Sequence, residues 1–441
     1  MPPAISKFVF VWILACASLA AQEAEIPVST TTSGTPFAIR NTWFIGGVGS
    51  WDYLTMDANA QRLFIAHGSA VQVVDVKTGE LAGEISGLRE AHSIVFDGTG
   101  NYGYISDGGA NNVKVFDRGS LQIIATIPTI PNPRSLVFDP STDLLFAVCT
   151  IPTGSEAGSK ANCGTDRPQP RRGTRPRADY KKTEAGSSIA VMSASTRTVL
   201  GEVLLPASLG FAFGDQKGHI YVNVPERNQV LRLNADAIAT LLRNEAAANT
   251  STDAEKEDAA DDDVPDDVPI QSDIFSPPAI LDWTQGIPPE GDVTSFALPA
   301  ECKRPVALAI DGQHFRLFAA CENWKLVVLN TLTGASMATL TTGPGTDAIA
   351  YDPNRELIFS ANGGGYGSVT VIQQDGNTDS YAVTQVLPTR ERARTLAVDS
   401  SSGDVYLVTD YNGVDLATHA GIGTMKTIPV SGSFQVIDIS R

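Results

Sequence analysis

The sequence predicts an all-β chain folded as a seven-bladed β-propeller of four-stranded antiparallel blades, closed by an N-terminal strand that completes the last blade. Three observations predict it. Seven short segments share one phrase, a hydrophobic run ending in Asp or its equivalent: Tyr53–Asp57, Ser93–Asp97, Ser135–Asp139, Gly210–Gly214, Ala307–Asp311, Ala348–Asp352 and Thr395–Asp399. Their terminal positions recur at roughly the 40–45 residues of one blade, except where insertions lengthen the gap around blades three and four. The chain also ends on a strand-like run, Phe434–Ile439, that has no partner run after it.

Each element of a blade follows in order. After the phrase comes a turn rich in Gly, Pro, Asn or Ser, and then a second hydrophobic run around an aromatic residue: Phe64, Tyr104, Phe146, Tyr221, Phe318, Phe359 or Tyr406. A third run follows, as in Val71–Asp75, Val113–Asp117 and Lys325–Leu329, and a Thr-Gly or Gly-Ser turn leads to a fourth, as in Ile123–Ile127. Four such runs make one blade. The fourth strand missing at the C-terminus is expected from Thr42–Gly46, which would leave the ring without an exposed sheet edge.

The run Tyr104–Asp117, a strand, a Gly/Asn hairpin and a strand ending in Asp, resembles the YVTN-type repeat, as do Pro133–Asp139 and Phe146–Thr150. The resemblance covers roughly residues 42 to 440. It implies a YVTN-repeat seven-bladed propeller of the lactonase-like or surface-layer type, a family whose members act as lactonases, binding modules or accessory proteins. Function belongs to the site and not to the fold, and no catalytic motif of that family matches residue by residue.

The domain plan is an export signal over residues 1–21, a linker over 22–41 and a single propeller over 42–441, with a basic insertion at 152–186 and an acidic one at 244–290. Lys7 precedes the apolar stretch Phe8–Ala15, which is too short to anchor the chain across a bilayer. Ile13–Cys16 resembles a lipoprotein processing box, so a lipid anchor at Cys16 is an alternative to cleavage after Ala20 or Ala21. The expected location is periplasmic or extracellular, with no transmembrane segment. Four cysteines then remain, and two disulfides are expected, Cys302 with Cys321 and Cys149 with Cys163.

A net charge of −17 argues against a nucleic-acid partner. The basic insertion carries Lys160, Arg167, Arg171, Arg172, Arg175, Arg177, Lys181 and Lys182. The acidic one carries Asp253, Glu255, Glu257 and a run of Asp from 258 to 267, so the two could attract one another across adjacent blades. Ahead of the acidic run, Ile238, Leu241 and Leu242 predict a short helix over Ala235–Ala247. The acidic run lacks the spacing of an EF-hand loop, and no phosphate cradle, nucleophile elbow or zinc motif occurs, so no cofactor is expected. Gly363–Gly367 lies between two strands and reads as a hairpin.

The repeat itself gives the candidate site. Counting five positions back from each terminal residue yields Asp52, His92, Arg134, Leu209, Val306, Asp347 and Arg394, the starts of the innermost strands, where they converge on the central channel. A second ring, three residues beyond each aromatic, is His67, Asp107, Cys149, Val224, Cys321, Asn362 and Thr409, with Asp410 adjoining. Together they predict a polar arc beside an apolar wall, suited to a small anionic or polyhydroxylated ligand. The arginines would grip carboxylate or phosphate, and His92 or His67 could act as a base on water. The leading expectation is a binding or protein-interaction scaffold. A lactonase-like hydrolase using Asp52, His92, Arg134, Asp347 and Arg394 is the alternative. A metal-carrying or redox-accessory propeller is the third reading, with His67, His92 and Asp107 as the possible ligands.

Overall fold

In the computed structural model, which describes residues 35–47, 49–150, 186–257, 279–284, 286, 292–414 and 427–441, seven sheets stand around one axis. The innermost strands are Trp51–Asp57, Ala91–Phe96, Pro133–Asp139, Ala212–Gly214, Pro305–Asp311, Thr346–Asp352 and Thr395–Asp399. Each packs against the innermost strand of the next blade, and the seventh packs against the first, so the ring is closed. Within a blade the strands pair antiparallel in chain order, as in Ala91–Phe96, Tyr102–Asp107, Asn112–Asp117 and Ile123–Pro128.

Closure is made by the N-terminus. Ala38–Phe44 pairs antiparallel with Gln435–Ser440, completing blade seven. This strand starts at Ala38, ahead of the boundary expected at residue 42, because Phe37 and Ala38 already belong to the packed structure. Phe37 is buried edge-on against Phe359, and its backbone exchanges hydrogen bonds with the Gln385 side chain of blade six. Trp43 stacks on Tyr406 of its own blade.

The innermost strands all run the same way, so their starts share one face, here called the mouth face, and their terminal Asp residues share the opposite face. Those Asp side chains accept backbone N–H groups of the turn that follows, as Asp57 does from Ala60 and Asp352 from Asn354. They also tie blades together. Asp57 binds Arg118 of blade two, Asp139 accepts the Gly218 amide of blade four at 3.0 Å, Asp311 accepts from Gln374 of blade six at 2.7 Å, and Asp399 accepts from Gln61 of blade one at 3.0 Å. Between blades the core is apolar: Tyr104 and Ile127 of blade two pack with Leu145, Cys149 and Met192 of blade three.

Three features depart from the sequence-based expectation. Blade three has a fifth strand, Ala279–Asp282, lying parallel to Thr198–Leu205 at its outer edge. The helix before it runs over Ala235–Glu257, longer than expected, and buries Ile238, Ala239 and Leu242 in the blade-three and blade-four core. Part of the acidic insertion is thus built into the fold. The two charged insertions also leave from opposite faces. The basic one follows Thr150 beside the start of an innermost strand, whereas the acidic one follows Asn234, which pairs with His219 at the opposite end of its blade. Direct attraction across adjacent blades is therefore not what their attachment points favour. Residues 1–21 with Cys16, and residues 152–185 of the basic insertion, lie outside the described residues.

One disulfide forms, Cys302–Cys321, with the two Cα atoms 5.5 Å apart. The expected partner of Cys149, Cys163, lies outside the described residues, among which Cys149 is a free, buried thiol. The Cys149 side chain turns inward between blades two and three, where burial pushes the thiol well above its ordinary value. No helix among the described residues is long and apolar enough to cross a membrane.

Candidate functional site

The ring read from the innermost strands comes together at the mouth face. His92 Nδ1 lies 2.7 Å from Asp52 Oδ2, and an Arg134 guanidinium nitrogen lies 3.8 Å from the same oxygen. Across the mouth, Arg394 Nε lies 3.3 Å from Asp347 Oδ2. The Arg134 and Arg394 side chains are 51% and 45% exposed, so each guanidinium keeps donors turned to solvent. Local folding sets both. The Ser106 hydroxyl donates to the Arg134 carbonyl, fixing the start of that strand. Arg394 belongs to the run Arg390, Arg392, Arg394, whose backbone is held by the glycine hairpin of blade six. Arg392 N donates to Gly363 O and Thr389 N to Gly367 O. Gly367 has φ +80°, and a Cβ there would fall 1.9 Å from the Arg390 carbonyl oxygen, so only glycine permits this approach. Arg392 and Arg394 both lie over the buried Trp51 ring, at 5.0 and 5.7 Å, and Arg390 lies over Tyr411 at 5.3 Å.

His92 is placed as a support and not as a free base. Its ring is buried, Nδ1 is taken by Asp52, and Nε2 is directed at Gly108, where an added Cβ would come within 2.7 Å of it. Nε2 has no hydrogen-bond partner and no exposed surface.

The second ring does different work in each blade, and most of it stays away from the mouth. His67 is buried with Nδ1 2.8 Å from Gln72 Oε1 and Nε2 3.2 Å from the Gly49 carbonyl, its ring stacked on Phe434. Asp107 accepts the backbone amides of Arg89 and Glu90, holding the loop that precedes His92. Asn362 is satisfied inside blade six by Thr346, Ser360, Ser368 and Thr370. Cys321 is in the disulfide and Thr409 Oγ1 donates to the Glu391 carbonyl. Asp410 alone joins the mouth, 2.8 Å from Arg392, its carboxyl pushed up by burial against the opposing pull of that arginine. His67, His92 and Asp107 do not converge, and no three metal-ligating side chains gather among the described residues. His219 opens the strand His219–Val224 and His314 sits in a turn, bonded to Asp215 and Asp311 respectively.

Sequence reasoning missed the centre of the site. Tyr53 of blade one and Phe211 of blade four meet across the axis, ring centroids 5.0 Å apart, and narrow the channel just inside the polar ring. Burial holds the Tyr53 phenol far above its ordinary value. Asp52 and Asp347 add to the rise while Arg134 and Arg394 oppose it, so all four charged groups act on this one side chain. Inside it opens a cavity of about 620 Å³ with apolar walls that include Leu54, Ile94, Leu136 and Ile349. The signal was present: only blades one and four carry large aromatics at these inner positions, and in a ring of seven they stand opposite.

Asp347 lines both compartments. Its side chain is 48% exposed, and the partial desolvation of the channel still raises its carboxyl above the ordinary range, with Arg394 opposing, Asp52 adding to the rise and Arg134 opposing. A raised folded-state pKa favours the fold below the unfolded pKa, and that contribution is lost as pH rises through the folded one. Asp347→Asn is therefore expected to be more stable than the unchanged protein at about pH 7, with the gain gone by about pH 3.5, below the ordinary Asp value. Thermal unfolding at the two pH values checks this.

No family model matches the chain, and no curated protein matches it either. Solved structures share its fold. The WD40 repeats of RRP9 align with 10% identity and a TM-score of 0.57, covering 92% of this chain and 97% of that one. U3-55K aligns with 10% identity and a TM-score of 0.56, covering 91% and 98%. A chain of the mitotic checkpoint complex aligns with 10% identity and a TM-score of 0.55, covering 89% and 96%. At such identity the likeness is one of fold, the seven-bladed propeller.

Proposed function

We propose that this chain is a non-enzymatic binding propeller that takes a small anionic or polyhydroxylated ligand at its mouth face. Arg134 and Arg394 would grip an anionic group, and Asp52, Asp347 and Asp410 would hold them apart and accept from hydroxyls. The observation that carries this reading over a lactonase-like hydrolase is the burial of His92 Nε2 against Gly108. A general base must reach the proton it abstracts, and this nitrogen is buried against Gly108 with the Glu90 carboxylate 3.9 Å away. The likeness to WD40 repeats and to a chain of a multiprotein checkpoint complex supports the broader class of interaction scaffold, with a protein partner at the same face as the second reading. We place the protein outside the cytoplasm, in keeping with the apolar N-terminal stretch and the Cys302–Cys321 disulfide, and the YVTN-type repeat is the family we favour. The test is ligand-dependent stabilisation that disappears in Arg134→Ala, without turnover of the stabilising compound.

A further inference from the structure

The channel inside the Tyr53–Phe211 pair is a compartment separate from the mouth, and its chemistry is different. Its inner end is formed by Tyr53, Phe211 and Asp347, and its rim reaches Asp97, Pro140 and Gln216, at and beyond the ends of innermost strands. It therefore opens on the face opposite the polar mouth.

At about 620 Å³ it falls within the size range of small-molecule pockets, and holds roughly four times the volume of a cavity that accepts benzene. Apolar walls offer water few hydrogen bonds, so water inside is poorly held and its displacement by an apolar body is favourable. Polar groups lie at the two ends, Asp97 and Gln216 at the rim and Tyr53 and Asp347 at the inner end. At the inner end the Tyr53 side chain and the Asp347 carboxylate, which pairs with Arg394 through Oδ2, line the cavity together.

We propose that this funnel binds an uncharged, mostly apolar molecule of two or three rings or an equivalent chain, entering from the face opposite the mouth and directing one hydrogen-bond donor to Asp347 and Tyr53. The funnel shares Asp347 with the anion site, whereas Arg134 contributes to the mouth and not to the funnel wall.

The probe is N-phenyl-1-naphthylamine, which is uncharged, apolar and carries one N–H donor, titrated into the full folded protein and followed by its fluorescence. Saturable binding at one site per chain is expected. Ala350→Phe and Val398→Phe each add bulk to a half-buried lining position. Each should weaken binding at least 10-fold, and two variants at different blades guard against one that fails to fold, which circular dichroism reveals. Tyr53→Phe should weaken it several-fold, and Arg134→Ala should leave it unchanged. Absence of saturable binding, full affinity in both filled variants, or loss of binding in Arg134→Ala would overturn the proposal.

Discussion

Deleting the chain through residue 45 is expected to abolish the monomeric fold, whereas deletion through residue 34 leaves it intact. The longer deletion strips the outer strand from blade seven and leaves Gln435–Ser440 as an unpaired edge. An exposed edge of this kind pairs with other chains. It also removes the buried Phe37 ring, a loss of about 3 kcal/mol on its own by the usual range for Phe to Ala. The Asn41 amide bond to Asp438, at 2.7 Å, and the tie between Phe37 and Gln385 of blade six go with it. Size-exclusion chromatography and thermal unfolding of the two truncated chains compare them directly. Aggregation or loss of the cooperative transition is predicted for the longer deletion, and a monomer melting like the shorter one would contradict closure by this strand.

The second large effect is that of the disulfide. Cys302 precedes an innermost strand and Cys321 ends the strand paired with it, nineteen residues on. Closing a loop of this length stabilises by about 3 kcal/mol in the chain-entropy account. Both residues are fully buried beside Phe296, Leu308 and Val327, so the pair is best replaced by alanine, since serine would leave two buried hydroxyls without partners. Cys302→Ala/Cys321→Ala should melt several degrees lower than the unchanged protein, and reductant should bring the unchanged protein down to the same point. Cys149, free and inside the core, should react with thiol reagents only on unfolding.

The repeat made much of this architecture legible. A phrase repeated seven times, ending in Asp in six blades and in Gly214 in the fourth, can only place equivalent residues at equivalent points of a ring, and this is why Asp52, His92, Arg134, Asp347 and Arg394 could be named together before any coordinates. The closing strand was legible for the same reason, as the one run missing from the last blade. What escaped was fixed by side-chain packing specific to one blade. His67, Asp107 and Asn362 share a register position but satisfy a carbonyl, two loop amides and four hydroxyls, partners that the repeat does not encode. Cys149 faces inward because its position on the strand alternates toward blade two. The fifth strand of blade three is contributed by a segment whose composition is dominated by charge nearby. The Tyr53–Phe211 contact joins residues from opposite blades, which strand-by-strand reading does not bring together. The opposite-face exit of the two insertions was available in principle, because a connection between second and third strands and one between third and fourth strands must lie at opposite ends of a blade.

Binding at the mouth, as proposed, also has a physical reading. The aspartates lower the cost of gathering arginines at one point, and Trp51 beneath Arg392 and Arg394 restricts the guanidinium rotamers that a ligand would otherwise have to order. Half-exposed arginines with spare donors are then ready for an anion at little entropic cost.

Thermal unfolding of the protein against sugar acids, lactones, phosphates and dicarboxylates tests that claim most directly. A ligand at 100 times its dissociation constant adds about 2.7 kcal/mol. The predicted result is a clear upward shift with at least one anionic or polyhydroxylated compound, lost in Arg134→Ala and retained in His92→Asn, with the compound recovered unchanged. No shift with any compound, or a shift that survives Arg134→Ala, would contradict the mouth as the binding site.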